Sequence, residues 1–351
     1  MRQRIAVLLL LAPWAVACGN RTRAVPPATT EPSIASVVDT QPGLTTYVSG
    51  STVDVQTKPL GGVLLAGGGT DSPDAMRWLM GQGGVQSNGA FGDVVVLRAS
   101  GADGYHRMLM DLGANSVTSF VVTAIDAANR DVVRRAIARA EVVFIAGGDQ
   151  SRYVKLWTGT ALQAAVNARV ADGYPIGGTS AGLAVLSSFV YAAFNVSSTS
   201  AKVLLSPYDS SVTITSHLFD VPGLSNLITD SHFVVRDRMG RLVTFLARLQ
   251  QDGSAVAPRG IGIDEKSAVG VTKAGTATVF GGGNGAYLLS APGNATRVCA
   301  ASTPLTFTPV SVVRVPVGGA FNMSTWTSTA SVPYTLHVNV GVLSSSTGAV
   351  Y

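Results

Sequence analysis

Short apolar runs alternate with helical stretches through the first half of this chain. Residues 62–66, Gly-Val-Leu-Leu-Ala, are an apolar run ending in Gly67-Gly68-Gly69-Thr70, the pattern of a buried strand that enters a tight loop. A helical pattern follows over 73–80, and the alternation then repeats: strand over 93–97, helix over 105–112, strand over 117–122, helix over 127–140, strand over 142–146. These strands are continuous runs rich in Val and Ile rather than apolar–polar alternations, so both of their faces must be covered. The expected fold is therefore α/β, a doubly wound and mostly parallel sheet with helices on both faces. Ligands of such sheets bind at the carboxyl ends of the strands, where the glycine-rich turns of this sequence fall. After Glu265 the pattern changes to β-prone runs at 277–280, 286–290, 310–317 and 334–342. They predict an antiparallel, β-rich ending that extends the sheet, with 291–351 as a C-terminal extension of the same domain.

The first residues follow a different rule. Arg2 and Arg4 precede an apolar stretch, and Ala15-Val16-Ala17 supplies small residues before Cys18. This is the layout of a signal peptide over 1–17, and it predicts an exported protein, periplasmic, extracellular or held at the cell surface. Cys18 sits where a lipoprotein carries its lipid, and simple cleavage after Ala17 fits the same residues. Residues 18–45, rich in Pro, Thr and Ala, read as a flexible tether, and 46–290 as the folded body. No later run approaches the roughly 20 apolar residues of a membrane helix. Hydrophobic residues make up 46% and charged residues 13%, enough apolar surface for a large core and too little charge for global disorder. The formal charge of +5 is spread without a block of Lys or Arg, which argues against a nucleic-acid partner. Cys18 and Cys299 are too few for a disulfide framework, and Cys and His show no metal-ligand spacing, so neither metal nor cofactor is expected.

Candidate chemistry centres on Gly178-Thr179-Ser180-Ala181-Gly182, a strand running into a helix across Gly-x-Ser-x-Gly. Small residues around Ser180 permit the sharp turn that exposes a nucleophilic hydroxyl, and the Ala181 N–H would face a developing oxyanion. A serine nucleophile needs a base, and there are four histidines. His106 lies in a helical segment and His337 in an alternating strand, so both read as core or surface residues. His217 and His232 remain, and His232, at the end of an apolar stretch, has the better strand-end position. Glu265, closing Gly260-Ile261-Gly262-Ile263-Asp264-Glu265, is the candidate acid in the same sheet; Asp264 is its neighbour on the opposite face. The order Ser, His, acid differs from that of α/β-hydrolases. Of the other glycine clusters, Gly67-Gly68-Gly69-Thr70 lacks the signatures of nucleotide sites, and Gly281-Gly282-Gly283-Asn284-Gly285 reads as a hairpin turn.

Taken together, four segments resemble the cyanophycinases among the dipeptidase E-like serine peptidases. They are Gly67-Gly68-Gly69-Thr70, Phe144-Ile145-Ala146-Gly147-Gly148-Asp149-Gln150, the Ser180 elbow, and Asp230-Ser231-His232-Phe233 continuing to Arg236, Arg238 and Arg241. The resemblance implies a fold related to class I glutamine amidotransferases, Ser180 as nucleophile, His232 as base and Glu265 as acid. It also implies Gly148 as the second oxyanion donor beside Ala181, and Gln150, Asp230, Ser231, Arg236, Arg238 and Arg241 lining the substrate groove. The implied substrate is a peptide or a cyanophycin-like polymer, whose free carboxylates suit guanidinium forks. Ser231 stands where the family motif has Gln, which removes a long amide from the substrate side and leaves the three reacting side chains unchanged. An aspartyl dipeptidase acting on short peptides and a catalytically inactive surface binding protein are the competing expectations, and the reading leaves room for a lipid anchor at Cys18 and for a homodimer.

Overall fold

The apolar runs that the hydrophobic pattern marks as parallel strands lie at the centre of a wider sheet. The structure, a computed structural model, describes residues 37–351 apart from 330 and 332. The signal peptide read over 1–17, Cys18 as the candidate lipid-anchor site, and the tether as far as residue 36 lie outside the described residues. Regular structure begins within the segment read as tether. There β1 (Val37–Gln41) pairs antiparallel with β2 (Leu44–Gly50), and β2 pairs along its length with β5 (Ser116–Val122). Val and Thr in this stretch suit a pleated edge, and Leu44 is buried, two properties that its Pro- and Thr-rich surroundings hide.

From that edge the first sheet continues through β4 (Asp93–Arg98), β6 (Val142–Ile145), β7 (Ile176–Thr179), β3 (Gly62–Ala66), β12 (Ser267–Thr272), β13 (Thr276–Gly281) and β17 (Ala320–Asn322). The run β5-β4-β6-β7-β3 is parallel. Successive residues of β3 enter different cores. Leu64 packs with α1 (Pro73–Gln82) and α2 (His106–Asp111), whereas Val63 and Leu65 face the cluster that includes α4 (Asp131–Arg139), α5 (Gln150–Trp157) and α6 (Ala161–Ala171). Both faces are covered, which is why these strands read as unbroken apolar runs. The helix expected over 127–140 is broken into α3 (Ile125–Ala128) and α4, because the Asn129 side chain caps the Ile125 carbonyl and accepts from the Ala161 N–H.

Of the late β-prone runs, the one read at 277–280 extends this sheet as β13, whereas those at 286–290, 310–317 and 334–342 build a second one. Its order is β19 (Val342–Ser345), β18 (Tyr334–Asn339), β16 (Thr306–Val315), β14 (Ala286–Ser290), β11 (Arg259–Ile263), β10 (Leu227–Asp230), β8 (Phe189–Tyr191) and β9 (Ile214–Ser216), with β15 (Thr296–Val298) on β16. Among the described strands of this sheet, parallel pairing is confined to β8-β10-β11. Helix α9 (Met239–Gln251) covers it, with Leu242, Phe245 and Leu246 packed in one core with Leu289, Val310 and Leu336. The glycine run 281–285 is a crossover from β13 in the first sheet to β14 in the second, not a hairpin. Side chains at Gly281 and Gly283 would collide with the Lys266 and Glu265 carbonyls, so glycine lets the crossing hug residues 265–267.

Candidate active site

The Ser180 side of the site is built by close backbone approach. β7 ends at Thr179, and Ser180 takes φ 53° and ψ −113° before the short helix α7 (Ala181–Ala184). Such a conformation costs of order 1–3 kcal/mol in a non-glycine residue and persists only where the surroundings enforce it. Here a Cβ on Gly178 would lie 2.5 Å from the Gly182 backbone, and one on Gly182 would strike the Ile145 carbonyl. The Ser180 N–H donates to the Ala66 carbonyl at 3.0 Å, tying the elbow to β3. Behind it the Thr179 hydroxyl donates to Asp71 at 2.7 Å, and the Tyr105 hydroxyl donates to the other oxygen at 2.7 Å. Burial holds the Asp71 carboxyl above its ordinary range, against both hydrogen bonds. Sequence reasoning missed Asp71, although it directly follows the glycine run that drew attention.

The histidine side comes from the second sheet. Past β10, His232 takes φ 49°, and its N–H donates to the Gly67 carbonyl at 2.8 Å. Its Nε2 lies 2.7 Å from Ser180 Oγ, and its Nδ1 lies 2.6 Å from Glu265 Oε1. With a carboxylate on Nδ1, the neutral ring carries its proton there and leaves Nε2 to accept from the serine. Burial pulls the imidazole below its ordinary value and the nearby arginines add to this, while the Glu265 hydrogen bond opposes it. Gly68 closes the contact: a Cβ there would stand 2.5 Å from His232 Cε1 and 3.1 Å from the Ser180 Cβ.

Each alternative considered for the base and the acid has a different placement. His217 is half exposed and pairs with Asp220 at 3.0 Å. His106 is buried between the Ser49 and Ser119 hydroxyls, and His337 bonds the Thr308 hydroxyl. Asp264 turns from the histidine ring and accepts from the Val234 and Val235 N–H groups and from Asn284, fixing the turn that follows His232. Glu265 does not share a sheet with the Ser180 strand, as the sequence reading had expected. It sits at the seam where the chain leaves β11 in the second sheet for β12 in the first.

Ser180 and His232 open on a cavity of about 330 Å³, and Gly148, Ala181, Gln150, Asp230, Ser231, Arg236, Arg238 and Arg241 all line it. The three arginines are engaged to different degrees. Arg241 is buried and committed to the protein: Nε donates to Asp230 at 2.8 Å, Nη2 to the other Asp230 oxygen, and Nη1 to Ser197 Oγ and the Ser198 carbonyl. Its guanidinium also lies 4.8 Å from the centre of the Tyr191 ring. Arg236 is half exposed, with Nε 3.9 Å from Glu265. Arg238 places Nη1 2.7 Å from the Ser231 carbonyl and 3.4 Å from Asp230, while its Nε and Nη2 have no protein acceptor among the described residues. Burial draws Arg238 down to about 10, which leaves it cationic at neutral pH. Gln150 reaches the Tyr191 carbonyl at 3.4 Å. Gly148, at φ 157°, is crowded by the Tyr153 hydroxyl, which a Cβ would approach to 2.7 Å. Among the described residues no group of three or more His, Cys, Asp or Glu side chains is placed to hold a metal ion.

The model of Peptidase family S51 matches residues 103–279. The chain belongs to this family. Family S51 comprises serine peptidases, in keeping with the serine-type chemistry expected from the sequence. The S51 segment contains Ser180, His232 and Glu265, whereas the β-rich residues 291–351 lie beyond it. Cyanophycinases of Trichormus variabilis and Synechococcus elongatus are each 30% identical to the chain, over 185 and 182 residues. Each alignment covers 51% of this chain, with 55% and 51% of the respective relative. The chain thus spans about half the length of the curated relatives it matches. A peptidase from an acI-B1 Actinobacterium, at 16% identity and a TM-score of 0.51 over 76% of this chain and 98% of that one, shares the fold.

Proposed function

We propose that this chain is an exported serine peptidase that cleaves a peptide or isopeptide bond at an aspartyl residue, releasing β-aspartyl-arginine dipeptides from cyanophycin. The observation that carries the reading is the hydrogen-bonded line Ser180–His232–Glu265, 2.7 and 2.6 Å, opening on an arginine-lined cavity. In this reading Ser180 Oγ attacks the scissile carbonyl as its proton passes to His232 Nε2, and Glu265 stabilises the imidazolium through Nδ1–H. The Gly148 and Ala181 N–H groups receive the oxyanion. The imidazolium then protonates the departing amine, and water, deprotonated by the same histidine, hydrolyses the acyl-enzyme. The substrate assignment draws support from the cyanophycinase relatives and from the cationic lining, since the arginines amide-linked to an aspartyl backbone present free α-carboxylates to it. Export rests on the composition of residues 1–17.

Purified protein incubated with cyanophycin, β-Asp-Arg, β-Asp-Lys and Asp-X peptides, with products identified by mass, tests the assignment. Dipeptides from the polymer are expected, and cleavage of Asp-X dipeptides alone would replace the polymer with a short-peptide substrate. Ser180→Ala is expected to abolish fluorophosphonate labelling and lower kcat by about 10⁴-fold or more. Labelling and turnover that persist in this variant would reject Ser180 as the nucleophile.

A further inference from the structure

Arg238 is the largely buried cavity cation with donors left over, half-exposed Arg236 being the other with unused donors, yet it stands at an awkward point of the chain. It is the residue before α9, contributes no side-chain cap to that helix, and follows Asp237, whose φ of 46° is left-handed for a non-glycine residue. Both neighbours of Arg238 are held by one hydroxyl from far along the sequence. Tyr351 Oη accepts from the Met239 N–H at 2.9 Å, 112 positions away, and donates to Asp237 Oδ1 at 3.0 Å. It thereby satisfies one of the N–H groups that the start of a helix leaves without an intrahelical partner. The Tyr351 ring stands edge-on to Phe233 at 5.9 Å and to Tyr287 at 5.8 Å, so the hydroxyl is anchored by an aromatic cluster that includes the residue after His232. Burial raises the phenol well above its ordinary value, and the proton donated to Asp237 stays in place.

We propose that Tyr351 is a specificity-positioning residue: by pinning Asp237 and Met239 it holds Arg238 in the cavity, where the guanidinium receives a substrate carboxylate. The inference rests on the serine peptidase reading of the cavity and adds to it a contribution from outside the S51 segment. It assigns the β-rich extension a part in substrate selection. Tyr351 acts through Arg238 and touches neither the substrate nor the reacting atoms.

The test compares the full chain with its Tyr351→Phe, Arg238→Ala and double variants. Tyr351→Phe keeps the ring in its aromatic cluster and removes only the hydroxyl, so folding is retained where Tyr351→Ala risks losing it. Two readouts are taken: KM and kcat on a short synthetic β-Asp-Arg oligomer, and labelling rates with two fluorophosphonates, one neutral and one bearing a carboxylate. Tyr351→Phe is expected to raise KM about five-fold, the scale of a lost hydrogen bond, with kcat changed less than two-fold. It should lower the preference for the carboxylate probe by the same factor, and it should have no added effect in the Arg238→Ala background. An unchanged KM and probe preference, equal losses with both probes, or additive effects in the double variant would each overturn the proposal, as would a wild-type protein without preference for the carboxylate probe. Absence of Ser180-dependent labelling in the wild type would instead reject the underlying peptidase reading, a failure recognisable on its own.

Discussion

The two halves of the site are held by opposite means. On the Ser180 side the chain is positioned by missing side chains: Gly68, Gly178 and Gly182 let backbones and rings meet at distances no Cβ would allow. On the histidine side it is positioned by charge: Asp230 grips Arg241, and Asp264 gathers the N–H groups that follow His232. The first arrangement tolerates no added atom, and the second tolerates no lost charge. The difference separates two kinds of vulnerability in one cavity, steric on one wall and electrostatic on the other.

The largest effect that probes this contrast belongs to the charged wall. Asp230→Asn leaves the buried Arg241 guanidinium without its counter-ion, and a loss of about 3–5 kcal/mol of stability is expected, read by denaturant unfolding. A loss under about 1 kcal/mol would show that Ser197 and Ser198 alone satisfy Arg241. Gly68→Ala probes the other wall: a methyl placed 2.5 Å from His232 Cε1 displaces the ring, and kcat/KM is expected to fall about 10²-fold. Wild-type activity in that variant would break the steric half of the comparison. The smallest and most diagnostic effect is in pH. As the proposed base, His232 acts only when neutral, and burial together with Arg236 and Arg238 lowers its proton affinity more than Glu265 raises it. Activity should therefore rise with pH through an inflection below the ordinary 6.5 and stay level past neutrality. An inflection above 6.5 in the kcat/KM profile would mean that the carboxylate outweighs burial.

The strands of the parallel core were legible because their apolar runs reflect burial on both faces, and β3 has the bounds that the pattern assigns to it. The elbow around Ser180 was legible for a related reason: its small residues are demanded by the Gly178–Gly182 contact. Sheet membership was not legible. A β-prone run carries its period but not the identity of its partner, so β11 and β14 read like continuations of the first sheet, and the 281–285 glycines read like a hairpin. The roles of Asp264 and Glu265 were separable only as opposite faces of a strand, and nothing local says which face meets the imidazole. Asp71 and Tyr351 act through partners 108 and 112 positions away, a separation at which residue type alone is silent.

The placement of Glu265 at the seam between the sheets has one more consequence. Serine and histidine reach each other from different sheets, and the carboxylate rides on the strand-to-strand passage that joins them, so neither half contains a working set alone. The relay is in effect a lock with its parts on two doors. In the proposed mechanism a chain still extended, or folded in one half only, would carry no armed nucleophile, and hydrolytic competence would arrive together with the docking of the two layers.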